Sequence, residues 1–208
     1  MYSKEFKKAI ENLPSTDKDK LIFRLLRRDL DLANRLHFEL VDTETVEQKR
    51  EKLSHLVSNK IKETNRNFYS MGYLFMDVRY ISGDINEHVR ITKDKFGEIT
   101  LNLQMLIEVL TIHSTHINNS KPKDAYKLLI YVIARAFKIL LLIKALDEDY
   151  LVDFKADMSK LGNLIGSYDL LMKLAIQNGL DVNWLTLGEI PENIVAIHKQ
   201  LRVDGFLK

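Results

Sequence analysis

The chain has 208 residues, of which 46% are hydrophobic and 29% charged, with a net charge of +2 and no cysteine. That size and balance fit one globular domain, or two small ones, with a real core. The lack of cysteine excludes disulfides, thiolate metal sites and cysteine nucleophiles.

With 8 Gly and 3 Pro there is little material for many tight turns, so long helices are favoured over sheet. Residues 3–13 predict a short helix with Phe6, Ile10 and Leu13 on one side, ended by Pro14. The first 14 residues alternate Lys and Glu with apolar residues and do not resemble a signal peptide, which makes the cytoplasm the expected location. Ser15 or Thr16 caps a second helix, with Asp17 and Asp19 in its first turn and a stripe through Ile22, Leu25, Leu32, Leu36 and Leu40. A break at Arg28-Asp29 would divide it. Asp42 or Thr43 then caps a long helix with Glu44 and Glu47 early in it. Val46, Leu53, Val57, Ile61, Phe68, Met71, Phe75 and Val78 keep helical steps, with a weak point at residues 65–67, and Ser82-Gly83-Asp84 ends the pattern.

Between residues 87 and 103 the period changes. Val89 and Ile91, then Ile99, Leu101 and Leu103, alternate with polar residues around the turn at 93–97. This predicts a β-hairpin, with continued helix as the alternative and Phe96 at its tip, either a partner contact or a turn anchor. A helix resumes to about Ile117, residues 118–122 form a loop, and Pro122 suits the first position of the helix that follows. Residues 123–146 are the most apolar stretch and predict the central post of a helical core, with Lys127, Arg135 and Lys138 clustered on one side. Arg135 and Lys138 would sit near the middle of any membrane span, which argues against one. After a polar turn at Asp147-Glu148-Asp149, Leu151, Phe154, Met158, Leu161, Ile165, Tyr168, Met172 and Ala175 make an unbroken seam, predicting an antiparallel helix pair. Asn178-Gly179 stops it, a loop holds the single Trp184, and Pro191 opens a last helix.

Four constellations carry candidate chemistry. Asp149, Asp153 and Asp157 lie along one helix face and suit magnesium and a phosphate, or else a salt-bridged edge with Asp157 opposite Lys138. Arg24, Arg27, Arg28 and Arg35 form the densest basic group and are the phosphate-binding candidates, against which Asp31 and Glu39 stand as helix partners. His113 and His116 have metal-ligand spacing without a third ligand. Gly162 and Gly166 suit a close helix crossing. Phosphate-cradling glycine loops and a Gly-x-Ser-x-Gly elbow are absent from the sequence.

Residues 19–41 and 88–103 resemble uncharacterised all-helical bacterial proteins, some labelled dUTP nucleotidohydrolases. The all-helical nucleotide pyrophosphohydrolases bind magnesium through Glu-x-x-Glu followed by Glu-x-x-Asp. Here Glu44-Thr-Val-Glu47 matches the first half, while Glu63 is followed by Arg66 and Glu87 by Arg90.

The sequence thus predicts one mainly α-helical domain over residues 1–208. Its parts are a helical layer over 1–83, a hairpin at 84–103 and a helical core over 104–208 with its antiparallel pair. The expected role is a non-catalytic interaction or scaffold protein without a cofactor, binding a protein partner or itself, with no membrane and with nucleic acid disfavoured. The alternative is a magnesium-dependent nucleotide phosphohydrolase using Asp149, Asp153, Asp157 or Glu44 and Glu47. A third is a phosphate- or nucleic-acid-binding module on the arginines.

Overall fold

A computed structural model describes residues 2–146 and 148–207, so Asp147 of the expected polar turn lies outside the described residues. The described residues form α-helices and one 3-10 turn, with no strand among them. They divide into two compact units, Met1–Glu44 with Arg90–Thr92, and Thr45–Val89 with Lys93–Lys208.

The first unit holds α1 (Lys4–Glu11), α2 (Ser15–Leu26) and α3 (Leu30–Leu40). Ser3 caps α1 by accepting from the Phe6 amide, and Asp29 caps α3 by accepting from Leu32. The arginine run therefore does break at Arg28-Asp29, because the Asp29 carboxylate takes an amide that a continuous helix would have paired internally. Arg90 pairs with Asp31 in this unit.

In the second unit α4 (Val46–Arg66) starts from a capping box, with the Thr45 hydroxyl and the Gln48 side chain exchanging bonds with each other's amides. The cap is therefore Thr45 rather than Asp42 or Thr43, and Glu44 precedes the helix. Phe68 and Tyr69 interrupt the predicted long helix, and Ser70 caps α5 (Met71–Thr92), which runs straight through Ser82-Gly83-Asp84. Next come α6 (Lys95–Ile112), α7 (Ser114–Asn118) and α8 (Pro122–Lys144). A 3-10 turn at Glu148–Tyr150 leads to α9 (Leu151–Ser167), α10 (Asp169–Gln177), α11 (Asn183–Thr186) and α12 (Ile194–Val203).

The predicted hairpin is a helix–helix corner. Lys93 adopts the left-handed conformation at φ 59°, which ends α5, and the Asp94 carboxylate accepts from the Gly97 amide at 2.8 Å to begin α6. Gly97 is required there, since a Cβ would lie 2.0 Å from Asp94 Oδ2 and 2.8 Å from Arg50 Nε. The alternation of Ile99, Leu101 and Leu103 misleads because α6 is buried around most of its circumference, with Thr100, Gln104 and Glu108 half-buried on the remaining stripe. Asn102, Met105, Leu106, Ile107, Val109 and Leu110 are buried as well.

That burial makes α6 the centre of the unit, packed against α4, α8 and α9. The place expected for α8 at the centre is therefore taken by α6, which lies against both α8 and α9. Among the described residues the closest backbone approaches of α9 are to α6, α10 and α11, and those of α8 are to α6, α10 and α12. The charges on α8 face the same neighbourhood: Lys138 pairs with Glu98 of α6 at 2.6 Å, and Arg135 bonds Tyr131 at 2.9 Å and Asn102 at 3.4 Å. The predicted seam also breaks at Tyr168, which is extended (φ −107°, ψ 109°) and donates its hydroxyl proton to the Leu110 carbonyl. Asn178 and Gly179 (φ 73°) end α10 as expected. No helix of the described residues is long and apolar enough to cross a membrane.

Candidate interaction surfaces

The predicted site residues are dispersed by the fold. Asp149 lies in the 3-10 turn, and Asp153 and Asp157 are exposed on α9. The expected Asp157–Lys138 edge does not form, because Lys138 is held by Glu98. Glu47 is exposed in the first turn of α4 with Arg50 3.9 Å away, and Glu44 lies before that helix, so the two carboxylates do not share a helical face. Arg24, Arg27 and Arg28 are exposed, with Arg27 and Arg28 in the turn after α2, while Arg35 is 3.7 Å from Glu39. No group of three or more metal-ligating side chains exists among the described residues.

His113 and His116 form an aromatic wedge with Phe68. The His116 ring stacks on Phe68 at 3.8 Å, and His113 is fully buried 6.1 Å from Phe68. The Thr64 hydroxyl donates to the Ile61 carbonyl at 2.8 Å, so it accepts from His113, whose Nε2 lies 3.0 Å away and carries the ring hydrogen. Burial, with His116 nearby, pushes the His113 pKa down to about 4. His113 is thus a neutral core histidine.

A polar cluster that the sequence analysis missed ties α4, α5 and α6 together. The buried Asp94 carboxylate accepts from Arg50 at 2.6 and 2.8 Å and lies 3.1 Å from His88, besides capping Gly97. Burial alone would raise its pKa. The bonds from His88, Arg50 and Gly97 outweigh that and hold the pKa at about 2. Further along the α4–α6 seam, Ser54 and Ser58 donate to Gln104 and Glu108 at 2.8 and 2.6 Å. The signal was present as Asp94 three residues before Gly97, a helix-start pattern, and as two side-chain pairs four residues apart. A β reading of residues 87–103 concealed it.

A surface cavity of about 650 Å³ is lined by Phe68, Ser70, His116, Ser120, Lys123 and Lys127 among others, with Asp124 also at its wall. It carries no converging catalytic set.

Exposed apolar surface is the dominant feature. No residue of α1, α2 or α3 is buried. Phe6 and Ile10 of α1, Ile22, Phe23 and Leu25 of α2, and Leu30 and Leu40 of α3 are all exposed, Leu40 by 78%. In the second unit α5 has two apolar faces. Met71, Leu74, Val78, Ile81 and Ile85 are buried at alternating steps of three and four. On the opposite side Tyr73, Met76 and Tyr80 are exposed by 58, 47 and 67%. Tyr69, ahead of the cap, prolongs this row with its ring edge-on to Tyr73 at 5.0 Å.

This arrangement defines an all-α protein with apolar helical faces open to solvent. No family model, curated protein or solved structure matches the chain.

Proposed function

We propose that this chain is a non-catalytic helical interaction protein that docks a protein partner through the apolar faces of α1–α3. The carrying observation is that these three helices bury no side chain while Phe6, Ile10, Ile22, Leu25 and Leu30 stand exposed. Ordering a residue costs on the order of 1–2 kcal/mol, and a segment without a dry interior has little to offset that cost. An amphipathic helix in this condition recovers its stability by laying the apolar face into a partner's groove. Scattered exposed leucines need no explanation, but apolar residues repeated on three successive helices do.

Two measurements test this reading. Hydrogen exchange of the isolated chain is expected to be fast across α1–α3 and slow across α6, with partner binding slowing α1–α3 selectively. Substituting Phe6, Ile10, Ile22 and Leu25 by serine is expected to abolish partner capture while leaving the melting of the second unit unchanged. Undiminished capture by that variant would refute the assignment.

A further inference from the structure

We propose that the exposed row on α5 is a self-association surface, on which a second copy of this chain lays its own α5 alongside in the same direction. The proposal shares with the functional reading only the premise that apolar helical faces here are docking surfaces. It uses α5 in place of α1–α3.

The row is built like a helix–helix seam. Tyr73, Met76, Tyr80 and Gly83 follow steps of four and three within an arc of roughly 100°, opposite the buried face of α5. No charged residue lies within that arc between positions 69 and 83. Gly72 and Gly83 are both exposed in it, and a Cβ on Gly83 would meet nothing within 4 Å, so the backbone is open to close approach by another helix. Tyr and Met are among the residues enriched at interface cores, where tyrosine buries its ring and keeps its hydroxyl wet.

Charge at the edges selects the occupant. Arg79 borders one side of the row and Asp77 the other, while Asp84, one heptad beyond Asp77, is paired with Lys60 of α4 at 2.6 Å. A parallel in-register copy sets the basic edge of each helix against the acidic edge of its twin, the complementarity that e and g positions supply in parallel coiled coils. The area is also sufficient. Three tyrosines and a methionine, exposed by 80, 58, 67 and 47%, offer roughly 550 Å², so two copies together would remove at most roughly 1,100 Å². That is the lower edge of specific interfaces, the range of weak and reversible association.

Because the chain has no cysteine, one introduced thiol is an unambiguous reporter. In the full chain, Met76→Cys should form a disulfide-linked dimer on mild oxidation much faster than Val152→Cys, an exposed site on α9. Sedimentation equilibrium should show a monomer–dimer equilibrium for the wild type, weakened at least about tenfold by Tyr73→Glu and by Tyr80→Glu, with unchanged helical circular dichroism. A wild type still monomeric at about 200 µM would overturn the proposal, as would a dimer that both glutamate variants retain, or equal linking at 76 and 152. Partner capture through α1–α3 is measured separately on the serine variant described above, so failure of either reading leaves the other standing.

Discussion

Asp94 offers the most demanding test of how the second unit is held together. Its side chain is 3% exposed, and its pKa is depressed from 3.8 to about 2. At 1.36 kcal/mol per pH unit that depression corresponds to roughly 2.5 kcal/mol of stability at neutral pH. Asp94→Asn keeps the volume and the capping oxygen but removes the charge that faces Arg50. It should therefore lower unfolding free energy by about 2–3 kcal/mol, or about 5–10 °C in Tm for a chain of this size. The sign with pH follows from a lowered folded-state pKa. The contribution is fully present above 3.8 and is lost as pH falls through about 2. Urea titrations of both proteins at several pH values should give a difference that is flat from pH 7 to about 5, shrinks below 4 and vanishes near 2. A variant within about 0.5 kcal/mol of wild type at pH 7 would refute the reasoning. So would a difference that persists undiminished to pH 2, since that would report lost packing rather than lost charge.

Three further outcomes follow. His113, neutral in the fold with its pKa at about 4, should show no ring titration above pH 5 by NMR. As pH falls from about 6.5 to 4, protonation of the unfolded chain should remove roughly 3 kcal/mol of stability, and a ring midpoint near 6.5 would contradict this. Gly162→Ala places a Cβ 2.6 Å from Thr186 Cγ2 and 3.0 Å from the Thr186 amide nitrogen, so it should cost about 1–3 kcal/mol in thermal denaturation. Gly166→Ala meets nothing within 4 Å and should be neutral or stabilising by up to about 1 kcal/mol; equal effects at the two sites would contradict the α9–α11 crossing. Finally, magnesium with a nucleotide panel should leave Tm unchanged within about 1 °C. A specific increase, lost in Asp153→Asn with Asp157→Asn, would favour the phosphohydrolase reading.

Much of the architecture is local and was therefore legible. The break at Arg28-Asp29, the stop at Asn178-Gly179 and Pro122 at the first position of α8 each follow from capping, left-handed glycine or fixed proline geometry. The hairpin failed for an equally physical reason. Period two at Ile99, Leu101 and Leu103 is informative only when the intervening residues face water, and Asn102 of α6 is fully buried. The central position of α6 was hidden by composition. Residues 123–146 carry the longer unbroken apolar runs, yet run length does not say which helix the others surround.

The candidate surface was half visible. The stripe of Phe6 and Ile10 and that of Ile22 and Leu25 are plain in the sequence, where an apolar stripe reads as core; only the structure shows these side chains exposed. Tyr73, Met76 and Tyr80 were overlooked because Met71, Phe75 and Val78, interleaved on the same helix, carry a stronger helical pattern.

What the sequence determined by itself is the mainly α-helical class and several helix ends, since propensity, caps and breakers act over a few residues and need no distant partner. What only tertiary structure decided is which face of each helix is dry. Burial depends on segments far apart along the chain: Arg50 meeting Asp94, Glu98 taking Lys138 from Asp157, and α6 filling the space between α8 and α9.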